Sequence, residues 1–141
     1  NNNTFYTSTT LDISHIKDDE WMSKNANFTV LCSTGANGSA PSPAEYLLMS
    51  LGVSLSHNIK TILDENVRPV NGIHTFIQGN WTDTNPRKLK EVAVKYLLDS
   101  KNANQEEVTR VCQIVLDSLN PIAKALTSKT SIKMTGIVTN D

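Results

Sequence analysis

The sequence predicts an α+β fold, on three observations. Strand-forming runs and one long apolar helix follow each other without the regular strand–helix alternation that builds a parallel sheet. A stretch dense in Gly, Pro, Ser and Asn, "TGANGSAPSP", parts the first strands from that helix. Two later runs, "VNGIHTFIQGNW" and "KLKEVAVKYLLD", are joined by a short "TDTNPR", whose Asn-Pro favours the turn of a hairpin. With 141 residues the chain has the length of a domain that buries about 68% of its unfolded surface. No internal repeat or long linker divides it, so residues 1–141 are read as one domain.

Each element has a local reason. In "FYTSTTLDI", Phe5, Thr7, Thr9 and Leu11 fall on one face of a strand, and "NFTVLCS" is a second short strand. The intervening "KDDEWMSKNA" is polar and reads as a turn. Ser42, Pro43 and Glu45 then form a strong helix start. The Ser42 hydroxyl caps one amide, Pro43 suits the first helical position, and Glu45 can return a bond to the Ser42 amide. The helix should run to Asp64 or Asn66, its first half apolar nearly all round and its second half amphipathic. Val92, Val94, Tyr96 and Leu98 alternate with Glu91, Ala93, Lys95 and Leu97 as in a half-buried strand; helical spacing through Leu89, Ala93 and Tyr96 is the alternative, and the Asn-Pro turn favours the strand. "NQEEVTRVCQIVLDSL" is an amphipathic helix with Val108, Val111, Cys112, Val115 and Leu119 inward, ended by Asn120-Pro121. "PIAKALT" is a short helix and "SIKMTGIVT" a closing strand.

Composition excludes several functions. Hydrophobic residues make up 38% and charged residues 19%, enough for a core and a hydrated surface. The formal net charge of −1, with signs interspersed, offers no clustered cation for nucleic acid. No window approaches the about 18 uninterrupted apolar residues of a membrane helix. "NNNTFYTSTT" has neither the basic nor the apolar segment of a secretory signal, and without an initial Met the true start stays open. Two cysteines, Cys32 and Cys112, are too few for a disulfide framework and favour a reducing cytoplasm. The four sequons, at Asn2, Asn27, Asn37 and Asn80, are what an Asn-rich chain shows by chance. His15, His57 and His74 have no metal-ligand spacing, so neither metal nor cofactor is expected. Trp21 and Trp81 read as anchors, and Arg87, Lys88 and Lys90 as a solvated basic turn.

The order of elements, with "GSAPSPAEYLLMSLG" opening the buried helix and "NPIAKAL" following a later one, resembles the OsmC/Ohr family of osmotically induced and organic hydroperoxide resistance proteins. The resemblance covers Asn27 to the end, and its most specific motif is Ser42-Pro43-x-Glu45-x-Leu47-Leu48 before a small-residue helix. It implies antiparallel sheets wrapped around long central helices in an intertwined homodimer. Close crossing of two such helices would account for Ser50 and Gly52. It also implies a role in osmotic or oxidative stress and hydroperoxide detoxification by a pair of cysteines. The first lies eleven residues after the motif Pro, which here is Ser54; the second precedes the Pro of the later short helix, which here is Asn120. The family's Glu after the motif Pro is Ala44, and its N-terminal Arg is missing, since the first arginine is Arg68. A thiolate attacks a peroxide and needs a nearby cation to form, so four departures point away from thiol peroxidase chemistry.

The expected role is therefore binding of a small apolar or acyl-bearing ligand at the dimer interface, near Ser54, His57, Asn120 and Glu45, with no catalytic residue assigned. Ser54 and His57 share a helical face, but a serine hydrolase also needs an orienting group and an oxyanion hole. The simpler state of Ser54 is a hydroxyl bonded back to a helix carbonyl. Cys112 lies on an apolar helix face and is expected to be inert. Cys32, beside the loop that leads to the long helix, is the candidate for relocated hydroperoxide reductase chemistry.

Overall fold

A computed structural model describes residues 8–126 and 128–140. The chain divides into two compact units, 1–46 and 47–141, described in turn.

The first unit is a three-stranded antiparallel sheet in the order β1-β2-β3, with β1 Asp12–Lys17, β2 Glu20–Lys24 and β3 Thr29–Ser33. Strand β1 starts later than "FYTSTTLDI" suggests. Residues 5–7 of that stretch lie outside the described residues, and 8–11 have no regular structure. The expected polar turn over "KDDEWMSKNA" is corrected. Only its two ends turn, Asp18-Asp19 and Asn25-Ala26, with Asp18 at φ 48, a left-handed conformation that a short polar side chain tolerates. Glu20 to Lys24 then pair back onto β1. Their charge masked a strand in which no residue is fully buried. After β3 comes the predicted loop, tied back by the Ser33 N–H donating to the Pro41 carbonyl (3.0 Å).

The long helix α1, Pro43–Glu65, begins as its cap signals require. The Glu45 N–H donates to Ser42 Oγ (3.1 Å) and the Ser42 N–H donates to Glu45 Oε1 (2.9 Å). Two residues past the end of the helix, Val67 sits at φ 58, where glycine is usual. The Arg68 N–H reaches back to the Leu63 carbonyl (2.9 Å) and the Val67 N–H to that of Asp64 (3.3 Å).

The second unit holds the core. Its sheet, in the order β4-β5-β6, comprises β4 Gly72–Trp81, β5 Leu89–Asp99 and β6 Ser131–Thr139. Strands β4 and β5 are the predicted hairpin, antiparallel with Thr75 opposite Tyr96. Strand β6 runs parallel to β5, as a crossover through helices allows. That crossover is α2, Gln105–Ile114, a single π-turn at Val115–Leu119, and α3, Pro121–Leu126. Leu51, Leu55, Ile59 and Leu63 form one stripe of α1 and are buried together with Val92, Val94, Tyr96 and Leu98 of β5 and with Val108, Val111 and Cys112 of α2.

Two expectations change here. The first half of α1 is covered on one side within the chain rather than all round, leaving Met49 and Val53 46% and 65% exposed. Leu119 is 49% exposed, whereas Val115 is buried. The π-turn puts an extra residue into that turn and swings Leu119 off the inward face. A second capping box, unremarked in the sequence, opens α2: the Glu107 N–H donates to Asn104 Oδ1 (2.9 Å) and the Asn104 N–H donates to Glu107 Oε1 (3.1 Å).

Candidate functional site

The small polar residues of α1 are used in two ways. Ser50 Oγ donates to the Leu47 carbonyl (2.8 Å) and Ser56 Oγ to that of Gly52 (2.6 Å), as such residues often do inside helices. Ser56 also shares a hydrogen bond with Thr75 Oγ1 (2.7 Å). Ser54 is engaged elsewhere.

Asn120 follows the π-turn and caps α3, its Oδ1 accepting the Ala123 N–H (2.8 Å). Its Nδ2 donates to Ser54 Oγ (2.8 Å) and to Asn58 Oδ1 (2.7 Å). Ser54 and Asn58 are one helical turn apart on α1, so a single amide bridges two successive turns. Asn120 is fully buried, and both its amide hydrogens and its oxygen are matched. The two positions that the family resemblance assigns to cysteines thus touch, joined by a neutral hydrogen bond. Asn58, which sequence reasoning passed over, completes the set. Its only signal was the i, i+4 spacing from Ser54.

His57 faces another way. It lines a groove of about 520 Å³ between α1 and β4. Met49, Gly52, Val53, Ile73 and Ile77 make the apolar wall, and Ser56, His57, Lys60 and Thr75 make a polar end. Lys60 is paired with Asp64 (2.6 Å). Among the described residues no hydrogen bond joins His57 to Ser54, so the helical face they were expected to share is split between two environments. Glu45 stands at the start of α1 and is taken up by the Ser42 cap. Bonds from the Ser42 amide and hydroxyl hold its carboxyl below the usual range.

The thiols divide as well. Cys112 is buried beside Val108 and Gly136, and burial pushes its thiol up to about 11. At neutral pH it is almost wholly protonated and a poor nucleophile. Cys32 is a partly buried free thiol on β3, opposite Trp21. Of the basic turn, Arg87 stacks over the Trp81 ring (4.3 Å to its centroid), a cation–π contact that uses one of its three charges. No group of His, Cys, Asp and Glu that could hold a metal ion occurs among the described residues, and no helix is long and apolar enough to cross a membrane.

A long capped helix leading into a three-stranded mixed sheet, with a second antiparallel sheet ahead of it, defines an α+β protein of one recognisable class. The chain matches the OsmC-like protein family over residues 36–135 and belongs to it. A hypothetical protein from Aquifex aeolicus has the same fold, with a TM-score of 0.82 at 17% identity over 95% of this chain and 98% of that one. An OsmC-like protein from Mycoplasma pneumoniae gives 0.77 at 13% identity over 94% and 99%. An organic hydroperoxide resistance protein from Legionella pneumophila gives 0.70 at 11% identity over 93% and 98%. No curated protein matches the chain in sequence.

Proposed function

We propose that this OsmC-like chain serves the osmotic or oxidative stress response as a homodimer that binds a small apolar or acyl-bearing ligand and has no thiol peroxidase activity. One observation carries the reading. Asn120 and Ser54 meet within hydrogen-bond distance at the two positions the resemblance gives to thiols, and the Asn120 amide is spent on Ser54 and Asn58. No sulfur stands there to attack a peroxide. The ligand lies in the groove between α1 and β4, its apolar part along Met49, Val53 and Ile77 and its polar end at His57. Ser54 and Asn120 support this from behind, as the clamp between α1 and the start of α3, while Glu45 fixes the first turn of the helix.

Two features favour the homodimer. A Cβ built on Gly52 would meet Ile77 at 3.6 Å, ordinary contact, so nothing among the described residues demands glycine there. A second helix crossing close to Gly52 would. The first unit, moreover, exposes Ile13, Leu31 and Phe28 by 63%, 50% and 46%. Two free cysteines fit a reducing cytoplasm.

The test is reduction of an alkyl hydroperoxide by the purified protein with a dithiol reductant, beside Cys32→Ser. No turnover is expected from either. Turnover lost on Cys32→Ser would move the chemistry to that thiol and defeat the binding reading. In parallel, decanoate should raise the melting temperature of the wild type and leave that of His57→Ala unchanged.

A further inference from the structure

Among the described residues, β6 is the last strand of its sheet: β5 pairs with one edge and no strand pairs with the other. Backbone groups of alternate residues in a strand point to opposite sides. The Thr139 carbonyl accepts from the Ser100 N–H just beyond β5, so odd-numbered residues face inward. Gln105 of α2 binds the other side. Its Nε2 donates to the Gly136 carbonyl and its Oε1 accepts the Val138 N–H (3.4 Å). One side-chain amide therefore sits on this edge as a peptide group of a neighbouring strand would.

Beside Gln105 the edge opens. Residues Ile132 to Gly136 of β6 and Thr109, Cys112, Gln113 and Leu116 of the α2 region line a cavity of about 550 Å³. Its walls meet at Gly136, where a Cβ would come within 2.5 Å of Val108 Cγ1. The π-turn forms the far end, with Asp117 in the lining and its carboxylate held by Gln113 Nε2 (2.8 and 2.9 Å). That carboxylate and the negative end of the helix dipole make the far mouth attractive to a cation.

We propose that this groove takes an extended peptide by β-addition. The peptide lies parallel to β6 with its free α-ammonium at Asp117 and its amides on the outward groups of Ile132 and Met134 and on the Gly136 N–H. Main-chain bonds would hold it, and alternate apolar side chains would rest on Leu116 and Cys112.

The probe is a heptapeptide alternating serine and valine, labelled at its carboxyl end, with its amino end free or acetylated. Titrated with the full chain and followed by fluorescence anisotropy, the free form should bind saturably. Acetylation or Asp117→Asn should weaken it at least tenfold. Met134→Pro removes an outward N–H and leaves the β5 ladder intact, as edge prolines do; it should abolish binding, while Met134→Ala should retain it. In the unsubstituted protein, amide resonances of Ile132, Met134 and Gly136 should shift on adding the probe and those of β4 should not. That measurement stands even where a variant fails to fold. No saturable binding, shifts confined to β4, or equal affinity for free and acetylated probes would each overturn the proposal.

Discussion

The two units of this chain solve the same problem differently. In the second, α1, β5 and α2 bury most of the fully covered apolar side chains against one another, with Val115 of the π-turn and Ala123 of α3. In the first, Ser33 is the one buried residue among those described, and a three-stranded sheet carries Ile13 and Leu31 largely in the open. Three strands persist in water when an apolar face is covered. The second unit covers its α1 stripe yet still exposes Met49 and Val53; the first buries no apolar side chain among those described. The buried core thus belongs to the second unit, and single substitutions can separate its contribution from that of the exposed apolar side chains in either unit.

The largest effect is expected at Leu55, fully buried in the α1 stripe. Leu55→Ala should cost about 2–5 kcal/mol in urea unfolding. The same truncation at half-exposed Leu31 should cost about 0.5 kcal/mol or less at protein concentrations where the chain is monomeric. A Leu31→Ala cost as large as that of Leu55→Ala under those conditions would erase the contrast between the units.

Next comes the clamp. Asn120→Ala strips partners from Ser54, Asn58 and the Ala123 N–H, and should lower stability by about 1–3 kcal/mol. Asn120→Asp keeps the acceptor for Ala123 but loses both donors and buries a carboxylate against the Ser54 and Asn58 oxygens, so at pH 7 it should cost more than Asn120→Ala.

The alkaline limb is smaller. Burial raises the thiol of Cys112 to about 11 from an ordinary value of 9.0, and raises the phenol of Tyr96 further still. The folded chain holds these protons where the unfolded chain releases them. These two groups should therefore add no pH dependence below about pH 9, and stability should fall as pH climbs from there through 11. Cys112→Val should make that fall shallower, which unfolding curves at pH 8 and 10.5 would register.

Gly52→Ala is the finest probe. Within the chain it should add up to about 1 kcal/mol, since alanine outranks glycine inside a helix. Under the helix-crossing proposal it should at the same time weaken dimerisation in sedimentation velocity. A gain in both would remove the reason offered for glycine.

Much of this fold could be read from short-range signals. The Ser42 and Glu45 box marked the start of α1 to the residue, because both partners lie within one turn. The hairpin of β4 and β5 followed from alternation and a turn. The missed strand β2 shows the limit: Glu20 and Lys24 look like turn residues when a sheet has no interior to hide them from. Leu119 was misplaced because one extra residue in the π-turn rotates everything after it, and a constant 3.6-residue period cannot register that. The site was harder. Ser54 and Asn120 lie 66 positions apart, and only the family motif suggested that they meet. Asn58 carried no such motif and became visible only once its partner's amide was placed.

That amide bridge has one more consequence. A pair of thiols at this joint would be a lock with two settings, closed or open according to the oxidants and reductants around it. A hydroxyl and a carboxamide have one setting. The seam between α1 and α3 is deaf to redox potential, and dithiothreitol or diamide should leave its melting point where it was. What the joint gives up in covalent strength it gains in constancy.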